Sequence, residues 1–524
     1  MTAPRPGTLF VWGRNSDGQC AASPSTGTFA PGPPKTVALP HAVACLGSNV
    51  VAVACGTGQQ GCTIAVLQDG SVWSFGNNSG GRLGLDGGGI ASSASASSSA
   101  PSAPRMKQPA STPRSSSSMA QSTSIPRRIE CLCHVHVTLV SCSDAHALAC
   151  SIDGSLFSWG KQSKSNCLGR PDVPPGSTAL PAKINFFDSS IPVGICDCES
   201  GYSAAVTRCG SLYTWGSNLF GRLGVGDVKD RCTPTQVSIG AGCKVVALSL
   251  GTLYAACVCC SEKDRDDLER AQGRLLCWGY GGHGNLGLGD RRDRASPEAV
   301  TGQKGSDFER EAGVVAIACT RGQEGVKGGL YPKDGGTEGP HTLCVAASGF
   351  MYSFGTCHKG LLSNLADKTG AFGQPWDELF PYRIGSPPRN TCTAAPLSPY
   401  ACWPPQRCAA ELGRVNSVVS AHIHAACCGE DGRLWAWGCG SNDGRCGVER
   451  FLNMSGEGKP PRVDGMKCYM MGPHRVGCAR AVYWPHGPSL DGVRVLAVAS
   501  GRNHMACIGE AGGLPAVFVN RGLE

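Results

Sequence analysis

Short apolar runs separated by Gly-rich polar turns recur along the whole chain, and they come in two alternating kinds. The first is a short strand that closes on an aromatic residue followed by Gly: Phe10-Val11-Trp12-Gly13, Trp73-Ser74-Phe75-Gly76, Phe157-Ser158-Trp159-Gly160, Tyr213-Thr214-Trp215-Gly216, Leu276-Cys277-Trp278-Gly279, Tyr352-Ser353-Phe354-Gly355 and Trp435-Ala436-Trp437-Gly438. Most are followed by a turn of the kind Ser217-Asn218-Leu219-Phe220-Gly221-Arg222-Leu223-Gly224. The second kind is an apolar run, a turn and another apolar run, found near residues 51–56, 139–150, 195–206, 245–258, 314–319, 418–428 and 496–508. Asp69-Gly70, Asp153-Gly154 and Asp431-Gly432 supply hairpin turns, because Asp and Gly tolerate the backbone such turns need.

Seven halves of each kind predict an all-β chain arranged as a seven-bladed β-propeller. The chain opens on an aromatic-Gly half and finishes on a hairpin half, so neither end completes a blade alone. Pairing residues 9–12 with the 496–508 half-blade closes the ring and removes two exposed edges. A further run at 516–520 competes for that place. The whole chain, 1–524, reads as one propeller domain with inserts. The longest insert, 87–125, is rich in Ser, Ala and Pro and is expected to be disordered. Smaller inserts are expected at 262–274, 322–339 and 387–405.

Composition changes this picture little. Five basic residues (Arg105, Lys107, Arg114, Arg127, Arg128) and no carboxylate lie between residues 87 and 128, so most of the net charge of +8 belongs to that stretch. The blades therefore announce no polyanion-binding stripe. The 31 cysteines could suggest disulfides, but Cys55, Cys142, Cys150, Cys319, Cys344, Cys427 and Cys507 sit inside apolar runs as small hydrophobes. Free thiols in a reducing compartment, cytoplasmic or nuclear, are the expectation. No apolar run is long enough for a membrane-spanning helix, and the start of the chain leaves no room for a secretory leader. A monomer without membrane contact is expected.

Ser143-Asp144-Ala145-His146, Ala421-His422-Ile423-His424 and Gly501-Arg502-Asn503-His504 place a G-x-x-H-like turn before the hairpin strand, with an aromatic-Gly step after it. In these features the chain resembles the regulator of chromosome condensation repeat family over nearly its whole length outside the inserts. The resemblance implies a seven-bladed propeller. The family's founding member exchanges guanine nucleotide on the small GTPase Ran, through a rim of acidic and His residues at this turn. Carried over by position, the resemblance makes Asp144, His146, His341 and His504 candidates for GTPase binding. The equivalent turn at Glu199-Ser200-Gly201-Tyr202 lacks both Asp and His. The founding member's β-wedge is matched here only by Lys161-Gln162-Ser163-Lys164-Ser165-Asn166, and its basic chromatin-holding tail has no counterpart before the first strand.

Catalytic chemistry finds no foothold. Gly282-His283-Gly284-Asn285-Leu286-Gly287 matches a dinucleotide fingerprint, but it follows an aromatic-Gly strand with no helix behind it. Cys131, Cys133, His134 and His136 are expected along a strand, where Cys131 and Cys133 share one face and His134 and His136 the other, and Cys257 with Cys260 has no second pair, so no metal site is expected. The turn histidines have no recurring nucleophile beside them, and no cofactor is implied. Trp12, Phe75, Trp159, Trp215, Trp278, Phe354 and Trp437 are expected to pack between blades, each followed by a Gly that lets the chain turn (Gly13, Gly76, Gly160, Gly216, Gly279, Gly355, Gly438). The expectation is a non-catalytic scaffold that binds partner proteins through rim loops; the alternative is exchange on a Ran-like GTPase.

Overall fold

The computed structural model describes residues 5–22, 34–85, 122–163, 165–171, 179–261, 273–311, 313–322, 340–357, 376–384, 413–422, 424–439, 475–481 and 493–511. These form seven four-stranded antiparallel sheets, the blades. Blade one comprises Val50–Cys55, Cys62–Leu67, Val72–Gly76 and Thr123–Arg128, running from the innermost strand to the outermost. Blade two is Val137–Cys142, His146–Ser151, Leu156–Gly160 and Ala182–Lys183; blade three is Val193–Glu199, Tyr202–Thr207, Leu212–Gly216 and Arg231–Gln236. Blade four is Cys243–Leu250, Tyr254–Ser261, Arg274–Gly279 and Arg294–Ala299; blade five is Val314–Cys319, His341–Ala346, Met351–Cys357 and Trp376–Arg383. Blade six is Val415–Ser420, His424–Gly429, Leu434–Cys439 and Arg475–Ala481. Blade seven joins Val493–Ser500 and His504–Ala511 to Thr8–Arg14 and Thr36–Ala42.

That last pairing is the expected closure. Leu9 faces Ile508, Phe10 faces Cys507, Val11 faces Ala506 and Trp12 faces Met505. Each inner strand also contacts the inner strands on both sides, Val493–Ser500 meeting Val50–Cys55, so the ring is complete. The rival run at 516–520 lies outside the described residues. No helix among the described residues is long and apolar enough to cross a membrane.

The hydrophobic core lies between blades rather than within them. A strand buried on both faces alternates its side chains between two neighbouring seams. Cys62, Ile64 and Val66 face blade two, whereas Ala65 faces blade seven. The result is seven apolar clusters, one per seam, and each contains one aromatic of the aromatic-Gly steps: Trp159, Trp215, Trp278, Phe354, Trp437, Trp12 or Phe75. The Gly that follows has φ between +98° and +110° at Gly13, Gly76, Gly160, Gly216, Gly279 and Gly355. At Gly216 a Cβ would come within 2.6 Å of the Gly201 carbonyl oxygen and 2.7 Å of the Tyr202 Cα. Only Gly fits, and the register shifts there between third and fourth strands.

The outermost strands escaped the sequence reading. Five carry a proline inside the strand (Pro40, Pro126, Pro234, Pro297, Pro381) and they are short or polar, as an edge strand can be. Two insert boundaries change as a consequence. Residues 123–125 begin the outer strand of blade one, and Arg274 begins the third strand of blade four, so neither belongs to an insert. Residues 323–339 and 387–405, like 87–121, lie outside the described residues. The 23 cysteines whose side chains are described are all free thiols, and those named above as strand residues are buried. Cys131 and Cys133 lie not on a strand but in and beside a 3-10 turn, Glu130–Leu132, and both are exposed.

Candidate functional site

The residue that opens the second strand of each blade is Cys62, His146, Tyr202, Tyr254, His341, His424 or His504, and every one is fully buried. Each reaches the next blade. His146 Nε2 lies 2.8 Å from Ser203 Oγ, His341 Nε2 2.9 Å from Ser420 Oγ, His424 Nε2 3.1 Å from Ser500 Oγ, and His504 Nε2 3.1 Å from Thr63 Oγ1. Tyr202 donates its hydroxyl to the carbonyls of Gly251 (2.6 Å) and Tyr254 (2.9 Å), and Tyr254 accepts from the Thr320 N–H (2.9 Å) and the Thr342 hydroxyl (3.0 Å). The Cys62 and Cys142 sulfurs are 3.3 Å apart. One structural position thus links all seven seams through three kinds of side chain: thiol, imidazole and phenol. The tryptophans brace the same seams from the other direction: Trp159, Trp215 and Trp278 donate indole N–H groups to the carbonyls of Arg82, Cys167 and Arg222, each at 2.9 Å.

Two residues beyond the inner strand, or one in blade three, the blades present Thr57, Asp144, Ser200, Thr252, Arg321, His422 and Arg502 at one end of the propeller axis. A charged cluster spans the axis here. Glu199 of blade three is wholly buried and takes hydrogen bonds from Thr57 Oγ1 (2.8 Å, blade one), the Gly322 N–H (3.0 Å, blade five) and Ser200 Oγ (3.1 Å). Arg321 of blade five donates from Nε to the same carboxylate at 3.2 Å and from Nη2 to the Cys198 carbonyl at 2.6 Å, with Asp197 Oδ1 at 3.3 Å. Asp197 also accepts from Ser141 Oγ (2.7 Å, blade two) and the Leu250 N–H (2.9 Å, blade four). Arg502 of blade seven donates to the Gly322 carbonyl at 2.8 Å. Burial pushes the Glu199 carboxyl up, against the pull of Arg321. Burial disfavours the Arg321 charge, but Asp197 and Glu199 outweigh it and hold its pKa above the usual range.

The predicted site residues therefore divide. Asp144 stands partly exposed at the axis mouth, with one carboxylate oxygen buried and without a hydrogen-bond partner. His146, His341 and His504 do not form a rim: they are buried seam links, because an imidazole there can meet a hydroxyl on the neighbouring blade and satisfy both groups. The turn at Glu199-Ser200-Gly201-Tyr202 is a substitution of parts, not a loss. Tyr202 performs the seam link, and Glu199 anchors the axial cluster. Glu199, Asp197, Thr57 and Arg321 were missed by sequence reading; their one shared signal is placement at or just past the end of an inner strand. The glycine-rich 282–287 segment is a turn packed by Gly287 against the Phe354 ring, with no helix after it.

The buried histidines give the fold a pH dependence with a defined sign. Burial, with His422 nearby, pulls His341 down to about 3, and burial pulls His504 down to about 4, both from 6.5. The unfolded chain then binds more protons than the folded one below about pH 6.5, so stability falls on acidification. His146 opposes this: burial lowers it, but Cys167, Asp144 and Glu199 outweigh burial and raise it. The urea midpoint is expected to drop between pH 7 and pH 5, and the slope should flatten in His341→Gln. Each fully titrating histidine contributes at most about 1.4 kcal/mol per pH unit.

The architecture defines a class: closed propellers whose repeat unit runs out of phase with the blade. Three segments, 6–62, 210–258 and 272–322, match the model of the regulator of chromosome condensation (RCC1) repeat. The first spans the third and fourth strands of blade seven and the inner strand of blade one, which is why the two ends of the chain must share a blade. In these three segments the chain carries repeats of the regulator of chromosome condensation type. It is similar to the human E3 ubiquitin-protein ligase HERC2, 24% identical over 442 residues that make 84% of this chain and 7% of that protein. It is also similar to the Arabidopsis thaliana ultraviolet-B receptor UVR8, 26% identical over 63% of this chain and 59% of the relative. The chain thus spans less than two thirds of either relative. Among solved structures, Prp20p from Saccharomyces cerevisiae shares the fold, with a TM-score of 0.62, 16% identity, and coverage of 97% of this chain and 92% of that one.

Proposed function

We propose that this chain is a non-catalytic scaffold that binds a protein partner through the loops at the axis-mouth end. The observation that carries the reading is an apolar and aromatic cluster on blades three and four, built by the turns that follow their aromatic-Gly steps. Leu219 is 46% and Val228 66% exposed. Phe220 packs edge-on against Tyr280 at 5.1 Å, and His283 lies 6.1 Å beyond. Phe220 has φ +59°, a left-handed backbone that costs an aromatic residue about 1 kcal/mol and costs Gly nothing. The equivalent residue of blade one is Gly80. Retaining a strained phenylalanine beside exposed Leu219 is what a contact surface requires and a mere turn does not. The test is quantitative affinity capture with Leu219→Asp/Val228→Asp against the unaltered chain. Loss of about tenfold or more in affinity for captured proteins is expected if the cluster is a contact centre. Unchanged partners after both this change and removal of the inserts would sink the reading.

A second reading, nucleotide exchange on a Ran-like GTPase, is favoured by one feature. Asp144 holds a carboxylate oxygen that none of the described residues satisfies, at the place the family resemblance assigns to GTPase contact. Prp20p, similar in fold, was solved together with a study of its binding to Gsp1p and histones. Exchange needs only contacts that favour the nucleotide-free GTPase over the loaded one. Release of labelled GDP from Ran-like GTPases decides it: acceleration that Asp144→Ala abolishes supports exchange, and no acceleration at micromolar protein removes it.

A further inference from the structure

The seam between blades one and two differs from the other six in what crosses it. Cys62 opens the second strand of blade one and Cys142 ends the inner strand of blade two. At two later seams these same positions hold His341 with Ser420 and His424 with Ser500. Where those seams carry imidazole–hydroxyl hydrogen bonds, here two free thiols meet with their sulfurs 3.3 Å apart, both buried. A thiol is a weak donor and a weak acceptor, so the reduced seam has the feeblest polar link of the ring. Two sulfurs in contact also need to close by only about 1.3 Å to reach a disulfide bond length.

The environment makes the two sulfurs unequal. The Cys62 thiol is held below its usual range by the hydrogen bond from Cys142, against burial and with help from the Arg82 guanidinium. That same bond, together with burial, pushes Cys142 up. One sulfur is favoured as thiolate and the other keeps the proton, the asymmetry that stepwise thiol oxidation uses.

We propose that Cys62 and Cys142 are a reversible dithiol–disulfide site that converts this seam from a packed contact into a covalent one, with a peroxide as oxidant. The Cys62 thiolate attacks one oxygen of hydrogen peroxide, the O–O bond breaks and hydroxide leaves, giving a sulfenic acid. The Cys142 sulfur then attacks the Cys62 sulfur, the S–O bond breaks, and the hydroxyl departs as water with the Cys142 proton. Two thiols and one peroxide give one disulfide and two waters. A small-molecule dithiol reverses the step by exchange.

The test uses the whole chain, reduced and then exposed to one equivalent of hydrogen peroxide. Remaining thiols are alkylated, and the digest is read by mass spectrometry. A cross-linked peptide pair containing Cys62 and Cys142, released by phosphine, is expected, together with a melting temperature several degrees above that of the reduced chain. The double variant Cys62→His/Cys142→Ser installs the pair of the later seams; it should fold and show no peroxide-dependent rise. Recovery of Cys62 and Cys142 both alkylated while other cysteines oxidise would overturn the proposal. So would a peroxide-dependent rise that persists in the double variant.

Discussion

Replacing Arg321 with Met should destabilise the ring by about 3–5 kcal/mol, because it leaves two carboxylates facing each other without their cation. Glu199 is fully buried and Asp197 nearly so, and Arg321 is the guanidinium that reaches both. Removing one partner of a buried pair leaves the uncompensated charge in place, whereas replacing all partners by apolar groups is often close to neutral. The prediction is therefore a cycle rather than a single number. Arg321→Met/Glu199→Leu should be distinctly more stable than the sum of its two single variants. Urea denaturation of the four proteins measures this. If the double variant merely adds the losses, the axial cluster is a set of independent surface contacts and its reading here is wrong. The double variant, which keeps Asp197, should also lose the link among blades one, three and five that Thr57, Glu199 and Gly322 make.

The second large effect is expected at Trp278. It is fully buried in the seam between blades three and four, and its indole N–H satisfies the Arg222 carbonyl at 2.9 Å. Trp278→Ala should cost about 3–5 kcal/mol through lost apolar contact and the cavity left behind. Trp278→Phe separates the two contributions. It keeps most of the volume and removes the donor, so a loss of about 1–3 kcal/mol is expected from the orphaned carbonyl and the smaller ring together. The comparison with Phe75 and Phe354 sharpens the test, since those seams manage with a ring that has no donor. A Trp278→Phe variant as damaged as Trp278→Ala would show that the hydrogen bond, not the packing, holds the seam.

What the sequence makes legible follows from which features repeat. The third strand is visible because packing and backbone both constrain it: an aromatic must fill the seam, and the residue after it must take φ near +100°. The hairpins are visible because Asp69, Asp153 and Asp431 each accept from the backbone N–H two residues on, at Ser71, Ser155 and Arg433. The outer strands are not visible, since one free edge and one exposed face relax every constraint except pairing. The seam links are half visible. His146, His341, His424 and His504 share a letter, but Cys62, Tyr202 and Tyr254 do the same task with other groups, and exposure is not encoded in a G-x-x-H spacing. That is why histidines expected at a rim lie in the interior. The axial cluster was invisible because Glu199 and Arg321 stand 122 residues apart and belong to no motif; only closing the ring brings them together.

The pairing of Thr8–Arg14 with His504–Ala511 bears on how the molecule comes to exist. On a ribosome adding about 5–20 residues per second, the first strand emerges and then waits tens of seconds for its partner. For that interval both open ends of the growing array present unpaired strand edges, the surfaces on which aggregation begins. Blades two to six can dock on one another as they appear, because their strands are close in sequence. Blade seven cannot, and its formation depends on the longest loop closure the chain contains. Shielding of those strand edges until the last blade is made is therefore expected to raise the yield of folded protein.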